Sequence, residues 1–496
     1  MANNDRGDKL KILFVAAEVV PFAKTGGLAD VAGSLPQALA LMGHDVRVVM
    51  PKYRSIKGEF VNLTDFPVAV GERRETAVLR RGAINASGGE TILEVPVYFI
   101  DNYHYFDRDS LYGYYDEAER FAFFSKAVLE MLPRVDFQPD VIHCNDWQTG
   151  PISLLLKEQY QANPFYSKMV SVYTIHNLQY QGNFESSALK LLGVGDEYFQ
   201  PERIEFYNLV SFTKCGLVYA DVINTVSRTY AQEIQTAEYG ERLDGLLRKR
   251  SRDLFGIING IHHSEYDPGN DIYICSKFGP ENLEGKRPNK QALQQEMGLP
   301  ERDVPVIGLI SRLVDQKGLD LIAAVMDQLL NKDIQFIVLG SGDRYYEQMF
   351  QEARRRYPEK VGVFIGFNAP MAQRIYAGCD LFLMPSRFEP CGLGQLIALR
   401  YGTIPIVRST GGLADTIQEF DPITLAGNGF TFKEYNPKAM LEAIERAVQL
   451  CTGQPELWRG LLKKALSADY SWARSANSYV DLYHLAVESK NRAKSA

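Results

Sequence analysis

The chain has 496 residues, 46% hydrophobic and 23% charged, which is ordinary for a globular protein but too long for a single core. Its 54 basic and 61 acidic residues leave a net charge of −7, which argues against nucleic acid or an anionic membrane as the main partner. The six cysteines (144, 215, 275, 379, 391 and 451) form no C-x-x-C pair, and no run approaches the roughly 20 apolar residues of a membrane span. With the short polar start Met1–Asp8, this pattern predicts reduced thiols in a cytoplasmic protein.

Apolar runs predict strands at 11–17, 45–50, 95–100, 141–144, 170–174 and 222–225, with helices between them such as 117–132 and 150–159. Such alternation implies a parallel sheet covered on both faces. Residues 57–94, with a turn at Gly88-Gly89, read as an antiparallel excursion.

The pattern restarts at 304–310, with helices at 319–330 and 345–356 and strands at 335–339, 361–366, 381–385 and 404–407. Between the halves, 267 to about 289 reads as an irregular linker. The expected division is 1–262 and 263–471, with the amphipathic helix from Trp472 crossing back so that 472–496 joins the first part. Two doubly wound α/β domains of this kind place their strand ends on one deep cleft.

Several loops carry chemistry. Lys24-Thr25-Gly26-Gly27 lies between the first strand and a helical repeat, where backbone N–H groups and the positive helix end attract an anion. The expected guest is a phosphorylated sugar. In the second half, Arg312 and Lys317 supply a planar fork and a point charge suited to a diphosphate. Thr410-Gly411-Gly412 opens a helix and reads as a second anion-binding backbone. Glu389 sits in the tight turn Glu389-Pro390-Cys391-Gly392-Leu393, and its carboxylate suits sugar hydroxyls or a developing cationic sugar centre. Asp146 and the pair His176-Asn177 close two strands of the first half and converge on one rim.

Taken together, Lys24–Asp30, His143–Trp147, Ile175–Asn177, Arg312–Gly318, Ser386–Leu393 and Thr410–Leu413 resemble the bacterial glycogen synthases and plant starch synthases of glycosyltransferase family 5. The likeness runs from about residue 10 to 485, in family order and spacing. It implies a GT-B fold and transfer of glucose from ADP-glucose to the non-reducing 4-hydroxyl of an α-1,4-glucan or malto-oligosaccharide, with retention and without a cofactor or metal.

By the same resemblance, Arg312 and Lys317 hold the diphosphate, and Lys24 with the Gly26 and Gly27 amides sits by the distal phosphate and sugar. His176 contacts the glucose 6-hydroxyl, Asp146 lies near the reacting centre, and Glu389 binds glucose hydroxyls. Asn177, Asn259, Cys391, Gly392, Leu393, Thr410, Gly411 and Gly412 complete the substrate-binding set. Phe367 stacks on adenine in place of the usual tyrosine.

Gln148 stands where a histidine is usual, Arg242 where a glycine is usual and His262 where an aspartate is usual. Another GT-B transferase of the sucrose or trehalose type and a catalytically silent glucan-binding protein are the competing readings. Nothing in the pattern speaks to oligomeric state.

Overall fold

The computed structural model describes residues 9–88 and 91–495, and it divides into two compact units. The first comprises residues 9–226, 231–257 and 472–495 of those described, and the second 227–230 and 258–471. The expected start Met1–Asp8 and residue 89 of the Gly88-Gly89 turn lie outside the described residues.

The strands of the first unit are β1 (Lys11–Val15), β2 (Asp45–Pro51), β3 (Val61–Val70), β4 (Arg73–Gly88), β5 (Thr91–Asp101), β6 (Val141–Asn145), β7 (Val170–Ile175), β8 (Asn183–Phe184), β9 (Glu205–Phe206), β10 (Leu209–Ser211), β11 (Val222–Thr225) and β12 (Leu254–Gly256). Nine of them form one sheet in the order β12-β11-β7-β6-β1-β2-β5-β4-β3. From β12 to β5 every pairing is parallel, and these strands are apolar and buried because helices cover both faces. The excursion at 57–94 is antiparallel, and it extends this sheet at its edge, β4 pairing with both β3 and β5. β8, β10 and β9 form a separate small sheet that the apolar pattern did not announce, two- and three-residue strands being too short for a period to show.

The second unit holds β13 (Val306–Ile310), β14 (Gln335–Gly340), β15 (Val361–Ile365), β16 (Leu381–Met384), β17 (Ile404–Arg408) and β18 (Phe430–Phe432), all parallel, in the order β15-β14-β13-β16-β17-β18. Its helix Leu319–Leu330 buries Leu319, Ile322, Val325, Met326 and Leu329, the one-face spacing of a 3.6-residue period. Each such side chain contributes about 1.5–3 kcal/mol on burial. The expected linker ends early: Lys286–Glu296 is a helix rather than irregular chain. Here Lys286 reaches inward to the carbonyls of Ala377 and Tyr401 and to the Thr403 hydroxyl, a polar anchor that hides the helix from an apolar-pattern search.

The C-terminal helix Trp472–Ser495 packs within the first unit. Tyr483 bonds His143 Nδ1 at 2.8 Å, Thr174 Oγ1 meets His143 Nε2 at 2.6 Å, and Asn224 bridges Thr174 to the Tyr479 hydroxyl. His143 is fully buried, and burial drives its ring down to about 3, so it is a neutral tether.

Candidate active site

In both sheets the chain reverses its winding at one place, and in open parallel sheets that switch point is where ligands bind. In the second unit it lies between β13 and β16. The loop after β13 carries Arg312 and Lys317, and the loop after β16 carries Glu389. Gly318 brings the two loops together. Its φ is +71°, and a Cβ there would lie 2.0 Å from the Pro385 carbonyl oxygen, so only glycine permits this approach.

The result is an ion pair, Lys317 Nζ to Glu389 Oε2 at 2.6 Å, with Ser386 Oγ donating to the same oxygen at 3.0 Å. Glu389 is buried, so its carboxylate is held by these side chains rather than capping the helix Gly394–Arg400. Arg312 is exposed and its Nη2 lies 3.4 Å from Gln316 Oε1, while Gln316 donates to the Phe388 carbonyl at 3.3 Å. Phe367, just beyond β15, is 87% exposed and offers an open ring face.

The glycines after β17 act differently from the expected anion cradle. Gly412 N donates to the Glu389 and Pro390 carbonyls at 3.1 Å each, so that amide is already engaged. A Cβ at Gly411 would lie 2.0 Å from Glu389 O, and one at Gly412 2.1 Å from Cys391 O. The smallness of these residues, with Thr410 as N-cap, lets the helix Gly411–Thr416 press directly onto the Glu389–Cys391 turn. Gly392 is left-handed at φ +74°, and Gln395 locks the turn through the Cys391 and Gly392 carbonyls. Leu393 is the N-cap residue of the helix Gly394–Arg400. Cys391 is buried, its thiol pushed up to about 12 by desolvation, and behaves as an inert packing group. Asn259 is buried with its Oδ1 lacking a hydrogen-bond partner among the described residues.

In the first unit the switch lies between β1 and β6, with β7 alongside. The loop after β1 departs from expectation. Glu18, which sequence reasoning passed over, turns its buried carboxylate onto the loop. Thr25 N donates to it, Thr25 Oγ1 at 2.7 Å, Gly26 N at 3.3 Å, and the Tyr112 hydroxyl at 2.8 Å. The Gly26 amide therefore holds the protein's own anion. Gly27 begins the helix Gly27–Leu41, and the space beside both glycines is open. Lys24 pairs with Asp30 at 2.6 Å.

Asp146 follows β6 in the left-handed region, φ +56°, and its Oδ1 accepts from His176 N at 2.7 Å. This strain-bearing turn aligns the ends of β6 and β7 and brings Asp146, His176 and Asn177 together. Desolvation raises the Asp146 carboxyl to about 7, the His176 amide opposing and the Glu18 charge reinforcing. His176 Nε2 faces Asn145 Oδ1 at 2.9 Å, and Asn145 Nδ2 donates to the Val15 carbonyl at 3.0 Å. The imidazole proton is therefore on Nε2, which leaves Nδ1 an acceptor. Burial lowers this ring to about 3, so it stays neutral.

Gln148 is buried, its Oε1 without a partner among the described residues. No helix among the described residues is long and apolar enough to cross a membrane.

Comparison with known proteins places the chain in a family. Residues 11–249 match the starch synthase catalytic domain family and residues 290–451 the glycosyl transferases group 1. The chain is 59% identical to a glycogen synthase from Desulforudis audaxviator (strain MP104C), over 97% of each chain. It is 57% identical to a glycogen synthase from Moorella thermoacetica (strain ATCC 39073 / JCM 9320), over 98% of each. The catalytic domain of starch synthase IV from Arabidopsis thaliana, solved bound to ADP and acarbose, matches with a TM-score of 0.88 and 34% identity over 97% of this chain and 100% of that one. Sucrose-phosphate synthase from Thermosynechococcus elongatus, at 16% identity and a TM-score of 0.59, shares the fold alone. The chain belongs to the glycogen and starch synthase family, glucosyltransferases built from two Rossmann-like domains in the GT-B fold.

Proposed function

We propose that this chain transfers glucose from ADP-glucose to the non-reducing 4-hydroxyl of an α-1,4-glucan, glycogen or a malto-oligosaccharide, with retention of configuration. The observation that carries the reading is the Lys317–Glu389 pair at the switch point of the second unit, with Arg312 exposed on the same loop. A cation held ready for phosphate beside a carboxylate held ready for hydroxyls suits a nucleotide sugar better than either part alone.

In this reading Arg312 and Lys317 neutralise the leaving diphosphate, with the Thr410–Gly412 backbone behind them. Glu389 accepts from glucose hydroxyls, with Asn259, Cys391, Gly392 and Leu393 shaping its surroundings, and Phe367 takes the adenine. Lys24 and the Gly27 end of the turn serve the distal phosphate and sugar, the Gly26 amide being held by Glu18. His176 accepts the 6-hydroxyl through Nδ1, next to Asn177, and Asp146 faces the charge that grows on the sugar. The C1–oxygen bond to the diphosphate breaks as the acceptor O4 bonds to C1 on the same face. The O4 proton passes to a leaving phosphate oxygen, so no protein nucleophile is required.

The six free cysteines and the acidic balance support a cytoplasmic setting, away from nucleic acid and membrane. The test is incubation of the pure protein with ADP-glucose and glycogen. ADP release matched by glucose incorporation supports the reading. Absence of both, or faster turnover with UDP-glucose, refutes it.

A further inference from the structure

Two strained turns of the first unit meet at one exposed spot that the mechanism does not use. Tyr207 and Asn208 form the two-residue connection between β9 and β10, both left-handed at φ +50° and +64°. A hairpin turn of this type demands positive φ at both positions, which asparagine tolerates and a tyrosine adopts only against strain of about 1–3 kcal/mol. Glu241 and Arg242 repeat the pattern at φ +48° and +67°. Its guanidinium lies 5.1 Å from the centroid of the Tyr207 ring.

An exposed cation–π contact contributes only about 0.5–1 kcal/mol, less than the strain it would have to offset. Tyr207 is 63% exposed, and Arg242 is exposed. The contact between the two side chains does not by itself offset the strain. It is also tied to the candidate site. Buried Gln181, five residues after His176, donates to the Glu241 carbonyl at 3.0 Å and accepts from Asn183 at 3.2 Å. Asn183 in turn pairs with β10.

We propose that Tyr207 and Arg242 form an outer subsite for the α-glucan acceptor, one that binds a glucose unit away from the reacting end. This rests on the function proposed above. Besides the guanidinium, the Phe206 ring stands perpendicular to Tyr207 at 4.9 Å, and the ring surface of Tyr207 that stays exposed is what stacks against the C–H face of a pyranose, while Arg242 offers N–H donors to ring hydroxyls. A neutral guest fits better than an anion, because Glu205 Oε1 sits at the turn, accepting from Asn208 N at 2.7 Å, and Glu241 is exposed beside it.

The test uses the full chain with Arg242→Gly and Tyr207→Asn, both residues that suit left-handed backbone and so relieve strain. Affinity is read without donor, by electrophoresis through glycogen gels and by calorimetry with maltoheptaose and maltotriose. Each variant should hold or raise its thermal midpoint, weaken glycogen and maltoheptaose binding about tenfold, and leave maltotriose binding and kcat at saturating glycogen unchanged. Parent-like glycogen affinity in both variants overturns the subsite, as does a lowered thermal midpoint without a change in affinity. A parent protein that neither binds glucan nor releases ADP overturns instead the function on which the subsite rests.

Discussion

Replacing Lys317 with alanine removes the ammonium 2.6 Å from Glu389 Oε2, where the two side chains are only 18% and 9% exposed. At an effective dielectric of about 20, a pair at that distance attracts by ~6 kcal/mol gross, most of it offset by the desolvation of both groups. Truncating one partner removes the attraction and keeps the desolvation of the other, since among the described residues Glu389 then retains the Ser386 hydroxyl as its side-chain partner. The expected loss is about 3–5 kcal/mol, or roughly 6–20 °C in the midpoint of a domain of this size. Glu389→Gln added to Lys317→Ala removes the stranded charge and should recover about half of that. Calorimetry without donor reads both quantities. A single variant melting within about 2 °C of the parent refutes the reasoning, as does a double variant no more stable than the single. Turnover of Lys317→Ala should also fall by about 10²-fold or more.

Four further outcomes are expected. The folded Asp146 carboxyl, raised to about 7, holds a proton that the unfolded chain releases near pH 4, so its stabilising contribution is full below about pH 4 and lost as pH rises through about 7; Asp146→Asn should therefore gain more in thermal midpoint relative to the parent at pH 8 than at pH 5. Gly318→Ala forces a Cβ to 2.0 Å from the Pro385 oxygen, which should cost about 3 kcal/mol or more by calorimetry and lower kcat/KM at least tenfold as Lys317 shifts; parent-like kinetics would refute the coupling. Tyr483→Phe leaves buried His143 Nδ1 unbonded and should cost about 1–3 kcal/mol in chemical denaturation without changing KM for donor. Phe367→Ala should narrow the preference in kcat/KM for ADP-glucose over UDP-glucose by about 1–3 kcal/mol, and an unchanged ratio would remove Phe367 from the donor site.

The repeating elements were legible because buried parallel strands are apolar throughout and their covering helices keep a 3.6-residue stripe. The helix 319–330 was read to the residue. Loop residues were legible as types but not as partners. Arg312, Lys317 and Glu389 stood out as charges at strand ends, yet nothing in their spacing of 72 residues says that Lys317 and Glu389 touch. That contact follows from Gly318, whose need for closeness appears only once Pro385 is placed beside it. Glu18 escaped notice for a related reason. A carboxylate just beyond an apolar strand looks like an ordinary surface residue until Thr25, Gly26 and Tyr112 close around it. The glycines at 411 and 412 were read as a phosphate cradle because motif logic assigns free amides to such a turn, whereas here close packing against the Glu389–Cys391 turn has engaged the Gly412 amide.

The carboxylate of Glu18 on the first unit's glycine turn divides labour by charge. A helix start normally draws phosphate, but this one already carries a negative resident, and Asp146 is close enough to feel it. With His176 neutral beside them, the strand ends of this unit present hydrogen-bond acceptors, and the Gly26 amide is already engaged. The second unit carries Arg312 and Lys317 at the equivalent place. Two glycine-bordered strand ends that look alike in the sequence thus differ in their resident charge: a carboxylate closes the first from within, and cations stand at the second.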